Sequence, residues 1–230
     1  MRRVALKQIE RALEMIARDG APDAHEPRKC VKRLRALVRL CRVGLPTAQR
    51  EALDRDLRTV GRALGRLRDA EAMPQTLAEL RHPAKPLATL RQVAQAELDQ
   101  ARNDAQPSLI AAVAGLQAVT GRLGESLPAG GWKALVEGLA DNYRRGRRLH
   151  AALDADADSD AFHGLRKRVK NLNYQARLFI EGGADIAALV HATSALGERL
   201  GEEHDLAVLG ERLNAGWGGL TGEDRCSVLA

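Results

Sequence analysis

Aromatic residues are scarce: two Trp, two Tyr and two Phe make up 3% of a 230-residue chain. That leaves little material for a base-stacking platform, and no helix-turn-helix or RNA-module signature is present. Cysteine is nearly absent as well. Cys30, Cys41 and Cys226 form no CxxC pair, so the chain encodes neither a disulfide framework nor a zinc knuckle. No apolar run approaches the roughly 18 residues that a membrane-spanning helix needs. The first twenty residues mix charges of both signs in an amphipathic pattern and lack the apolar stretch and cleavage site of a signal peptide. A cytoplasmic protein without a membrane partner is expected, with Cys30 and Cys41 as core fillers in a reducing compartment. Phosphate loops, dinucleotide fingerprints, nucleophile elbows and HExxH are all missing. The expectation is therefore a non-enzyme with no cofactor and no metal.

Apolar residues reach 45%, enough for a packed core, and Ala, Leu, Arg and Glu dominate, as helices prefer. No segment alternates with a period of two. Breakers such as Gly20-Ala21-Pro22, Gly44-Leu45-Pro46, His82-Pro83 and Gly182-Gly183 mark the helix ends. About ten helices follow, roughly 2–19, 24–43, 47–64, 69–81, 86–104, 107–122, 131–153, 160–181, 185–200 and 204–214. The acidic run 154–160 reads as a solvated loop, and residues 215–230, with four glycines, read as a flexible tail.

Charge is unevenly placed. Residues 25–42 hold seven Lys/Arg and one acid, and residues 163–180 hold five Lys/Arg and no acid, a net +11. The rest of the chain holds 24 basic and 29 acidic groups, a net −5. A protein acidic everywhere except in two short windows points to an anionic partner met at those windows.

The two windows are copies. At an offset of 138 they share eight identities in 18 positions, where composition alone gives about one. Leu64-Gly65-Arg66-Leu67-Arg68-Asp69 then matches Leu200-Gly201-Glu202-Glu203-His204-Asp205. Two similar helical units are implied, each presenting one basic helix. At about 100° per residue, Arg28, Lys32, Arg35 and Arg39 form a stripe that begins at His25. His163, Arg166, Lys170, Asn173 and Arg177 repeat those angles, and Lys29, Arg33 and Lys167 lie beside the stripes. Val31, Leu34, Val38 and Cys41 face the core in one copy, as do Leu165, Val169, Leu172, Ala176 and Phe179 in the other. Stacked cations repel, and a polyanion would relieve them, with Arg forks gripping phosphate oxygens and Lys acting as point charges.

The motif His25-x-x-Arg28-x-x-x-Lys32-Arg33-Leu34-Arg35 and its echo His163-x-x-Arg166-Lys167-x-x-Lys170 resemble those of the CHAD domain, the conserved histidine α-helical domain. The Tyr143-Arg144-Arg145-Gly146-Arg147-Arg148 run and Gly201-Glu-Glu-His-Asp205-Leu add to the likeness, which covers residues 1–214. The resemblance implies an all-α fold of two pseudo-symmetric four-helix bundles with a central basic cleft or pore. It places repeat 1 over about 1–105, a connecting helix over about 106–127 and repeat 2 over about 128–214. It further implies binding of inorganic polyphosphate and association with polyphosphate granules and their proteins, and the missing catalytic motifs add the expectation that the polyphosphate is not cleaved. The residues it marks are His25, Arg28, Lys32, Arg33, Arg35, Arg39, His163, Arg166, Lys167 and Lys170, with Arg144, Arg147 and Arg148. Asn171 and Asn173 depart from the family's basic pattern, so the second half-site is expected to be weaker. The rival readings are a nucleic-acid-binding or acidic-protein-docking helical domain, with nucleic acid expected only as a weaker competitor. Asp69 and Asp205 are read as N-caps or as partners of a neighbouring arginine, and His204 as a local cap or partner of Asp205.

Overall fold

The computed structural model describes residues 1–18, 20–80, 85–126, 131–153 and 159–229. His82 and residues 154–158 of the acidic run lie outside them, and the last two residues of that run, Ser159 and Asp160, open α8. The described residues contain helices and turns and no strand. The helices are α1 (Arg2–Ile16), α2 (His25–Leu40), α3 (Thr47–Ala63), α4 (Gly65–Glu79), α5 (Lys85–Asn103), α6 (Gln106–Ser126), α7 (Gly131–Ala151), α8 (Ser159–Ala176), α9 (Ala184–Asn214) and α10 (Gly222–Leu229).

Helices α1, α2, α3 and α6 close a four-helix bundle, each packing on the next around the ring. Ile9, Leu34, Leu57 and Leu116, one from each helix, are fully buried at its centre. Each contributes about 1.5–3 kcal/mol by burial relative to an exposed site. The expected seam of α2 is the one buried: Val31, Leu34, Val38 and Cys41 all lie in this core. Helix α6, expected to connect the repeats, packs as a member of the first bundle.

The second copy is smaller. Helix α8 packs against both α7 and α9, with Leu165, Val169 and Leu200 clustered between α8 and α9. Among the described residues no helix takes the place that α6 has in the first copy, and Trp132, Val136 and Tyr143 of α7 stay exposed. A third apolar cluster joins α4, α5 and the end of α9 through Met73, Leu77, Leu90 and Leu209. The chain end closes onto it. Residues 222–229, read from sequence as part of a tail, form α10, and Trp217, Leu220 and Val228 pack against this cluster.

Two predicted helix breaks are absent. The helices expected at 185–200 and 204–214 are one continuous α9, and α3 passes into α4 with only Leu64 between them. Gly65 and Gly201 do not stop these helices because both are buried positions where a basic side chain passes close by. A Cβ on Gly65 would meet the Arg28 guanidinium at 3.2 Å, and one on Gly201 would meet that of Arg166 at 3.8 Å.

Candidate anion-binding site

The site is built where the basic helices cross. Helices α2 and α8 pack directly on each other. A buried amide fixes the crossing: Gln175 Nε2 donates to the Ala36 carbonyl (2.9 Å), and its Oε1 accepts from Asn142 Nδ2 of α7 (3.0 Å). At the neighbouring face, the Arg33 guanidinium lies 5.9 Å from the Tyr174 ring centre. The two halves of the sequence thus share one cleft floor.

The N-terminal halves of the two stripes converge there. Lys32 remains open to water yet stands in a recess whose walls remove part of its hydration. That desolvation, with Arg28, Arg166, Arg68 and Lys170 close enough to repel its charge, pulls its pKa down to about 8. Burial lowers the Lys170 pKa as well, with Arg166 and Lys29 adding to the effect and Glu198 and Asp205 opposing it. Among the described residues neither Lys32, Arg166 nor Lys170 has an ion-pair partner, whereas Lys29 pairs with Glu26 at 2.8 Å. Arg28 donates to the Gly61 carbonyl (2.5 Å). Glycines shape this floor: a Cβ on Gly197 would press on the Lys170 stem at 3.2 Å. The pairs Gly61/Gly65 and Gly197/Gly201 are equivalent positions of the two copies.

Several polar atoms in the cleft have no hydrogen-bond partner among the described residues. Arg68 Nη1, Arg166 Nε and His163 Nδ1 are buried and make no hydrogen bond. A buried donor without a partner costs about 1–3 kcal/mol, a cost an incoming acceptor would remove. His25 is exposed at the start of α2, its backbone N–H bonded to Asp23 Oδ1 (2.8 Å). Burial, then Arg68 and Lys29, lower its pKa. His163 is half-buried at the start of α8, its ring centre 4.8 Å from that of His204. Its pKa is also lowered, by burial first and then by Lys167, His204 and Arg166.

The C-terminal halves of the stripes do other work. Arg35 and Arg39 both reach Asp54 of α3, at 2.9 and 3.4 Å, where Arg58 joins them at 2.9 Å. In the second copy Asn173 is buried, donates to the Val190 carbonyl (2.9 Å) and Thr193 Oγ1 (3.1 Å), and accepts from Arg177 Nε (3.0 Å). Asn173 is therefore a packing residue rather than a gap in the stripe, and Asn171 is buried too. Arg33 turns away toward Tyr174 and Gln8. Lys167 is exposed beside His163. Arg144, Arg147 and Arg148 stand exposed on α7, and none has an ion-pair partner among the described residues.

Beside the cleft a cavity of about 1160 Å³ opens between α2, α3–α4, α5 and α9. Arg28, Lys32 and Arg35 line it together with Arg58, Arg62, Arg66 and Arg212, four arginines absent from the sequence-level expectation. Arg68 and His204 were missed as well, although the alignment that pairs Leu64–Asp69 with Leu200–Asp205 already placed them at one position. Asp69 and Asp205 lie inside α4 and α9, so neither caps a helix. His204 stacks on His163 rather than capping. Among the described residues, no group of three or more His, Cys, Asp or Glu could hold a metal ion, and no helix is long and apolar enough to cross a membrane.

No curated protein and no solved structure matches the chain significantly. The family model of the CHAD domain matches residues 2–214. With that match spanning both basic helices and the glycine-lined floor between them, the chain belongs to the CHAD domain family.

Proposed function

We propose that the protein binds inorganic polyphosphate without cleaving it, and through that binding associates with polyphosphate granules. The carrying observation is the convergence of Arg28, Lys32, Arg166 and Lys170 on one cleft floor, where desolvation first and then the surrounding cations lower the Lys32 pKa to about 8. Such a cluster is unfavourable in the empty protein and becomes favourable when a linear polyanion enters. The cleft also offers unpartnered guanidinium donors on Arg68 and Arg166 to phosphate oxygens, and the unpartnered His163 Nδ1 can join them when protonated. Membership of the CHAD family supports the same ligand. Nucleic acid is the poorer fit, because the exposed aromatics Trp132 and Tyr143 sit on α7 and are not among the cleft residues.

Titrating labelled long-chain polyphosphate at 50 and 500 mM salt tests the reading. Binding should weaken steeply with salt, because released counterions drive it. DNA at equal phosphate equivalents should compete poorly, and magnesium or manganese should produce no orthophosphate. Salt-independent binding, or none at either salt, refutes polyphosphate recognition. Release of orthophosphate that disappears with one acidic residue refutes the non-catalytic part.

A further inference from the structure

The two copies match beyond their basic helices. At an offset of 136, Arg68 of α4 corresponds to His204 of α9. Each lies near the histidine that opens the basic helix of its own copy. In the first copy Arg68 is the foremost cation acting on His25. In the second the His204 ring tilts 33° against that of His163 at 4.8 Å. A buried, unpartnered nitrogen accompanies each pair, Arg68 Nη1 in one and His163 Nδ1 in the other.

We propose that Arg68 and His204 are equivalent phosphate-contacting residues of two half-sites, and that the second half-site, built on paired histidines, acquires its full charge only in mild acid. This rests on the polyphosphate reading above and adds to it a division of labour. Arginine stays charged at every physiological pH, so the Arg68 position of the first half-site keeps its charge throughout. Two imidazoles in ring contact cannot both be protonated cheaply. Around His163 stand Arg166 and Lys167 of α8, which oppose its charge, and Asp160, which favours it. His204 of α9 adds to the opposition and has Glu203 and Asp205 as sequence neighbours, while α2 brings Lys29 toward Lys170. A condensed phosphate chain supplies the missing negative charge, so binding takes up protons at this pair. By linkage, affinity then rises as pH falls, about tenfold for each unit by which the ligand raises an imidazole pKa. The internal phosphates of the chain are strong acids and keep their charge throughout, so the ligand itself contributes no such trend.

The test uses the full chain and labelled long-chain polyphosphate at pH 5.5 and 8.0 and constant salt. The wild type should bind about tenfold tighter or more at pH 5.5. His204→Arg, which copies the first half-site, should bind at pH 8.0 nearly as tightly as the wild type does in acid, with a much smaller pH response. His204→Gln should lose most of the acid gain and stay weak at both. Lys32 and His25 titrate in all three proteins, so the difference between proteins isolates His204. Histidine ring NMR signals should in addition show His163 taking up a proton on adding ligand. A wild-type response under twofold, or the full response retained in His204→Arg, overturns the assignment and leaves polyphosphate binding standing. Absence of binding at both pH values overturns both readings.

Discussion

Lys32 shows at the scale of one residue how the site stores its readiness to bind. Its amine meets four neighbouring cations and loses part of its hydration, so the folded protein holds its proton less tightly than the unfolded chain does. The lowered pKa, about 8 against 10.5, fixes the direction of the stability effect. Below pH 8 both states carry the proton and the folded state bears the full repulsion. Between pH 8 and 10.5 the folded state loses the proton first and the cost shrinks, and above that window it is gone. Lys32→Met keeps the stem that packs in the recess and removes the charge. At pH 7 it should therefore melt above the wild type, with a gain held to about 1 kcal/mol because the amine is open to screening water. That gain should fade as pH is raised toward 10.5, while polyphosphate affinity drops at neutral pH. Melting curves of both proteins at pH 7 and pH 10.5 check it, and a Lys32→Met protein less stable at pH 7 would contradict the repulsion. His163 and His204 belong to the same scale: one His stacked on another was invisible in the histidine count, since contact between helices decides it.

Among the elements, periodicity made the basic helices legible. The apolar seam and the stripe of α2 follow from about 100° per residue, and burial divides the helix as that spacing requires. What periodicity could not show is which part of a stripe is free. Arg35 and Arg39 sit at the right angle, yet Asp54 on α3 takes them, and Asn173 sits at the same angle and is buried against α9. The uninterrupted passage of α3 into α4 and of α9 through Gly201 was hidden for a related reason. Glycine is a helix breaker in isolation and a close-packing position when another chain segment approaches, and only the fold says which. The crossing of α2 and α8 likewise hangs on Gln175, an unremarkable residue in the sequence whose side chain is 1% exposed and bonded to both Ala36 and Asn142. Gln175→Ala should cost about 1–3 kcal/mol, because it leaves the buried Asn142 amide unpaired and opens a small void. It should also weaken polyphosphate binding, since the two stripes lose their fixed spacing. Denaturant unfolding measures the first effect, and a loss below about 0.5 kcal/mol would mean that apolar packing alone orients the helices.

Taken as a whole, the molecule places both copies of the basic helix on one floor, and this decides how a ligand must be read. Two equivalent stripes on separate bundles would act as two independent patches, each binding short and long chains alike. Stripes that meet, with Lys32 feeling Arg166 and Lys170 across the crossing, present one site to a ligand long enough to span them. Once one stripe holds the chain, the other sees its phosphates at a high local concentration, and affinity rises without any new contact. Reversing charge in either stripe should then remove the bridging gain, with losses far larger for long chains than for triphosphate. Lys32→Glu serves for the first stripe, since Arg28 also holds the Gly61 carbonyl and its loss would disturb the fold. Arg166→Glu serves for the second, because its Nε has no partner among the described residues and Gly201 leaves room beside it. The double variant separates the two geometries. For a shared cleft the second reversal adds less than it does alone, because the first has already ended the bridging, whereas for independent patches the two losses add. Titrations of several chain lengths against both single variants and the double, with melting curves to confirm folding, give the answer. Equal losses for short and long chains, or simple additivity for long ones, would show that the stripes work apart despite meeting in the fold.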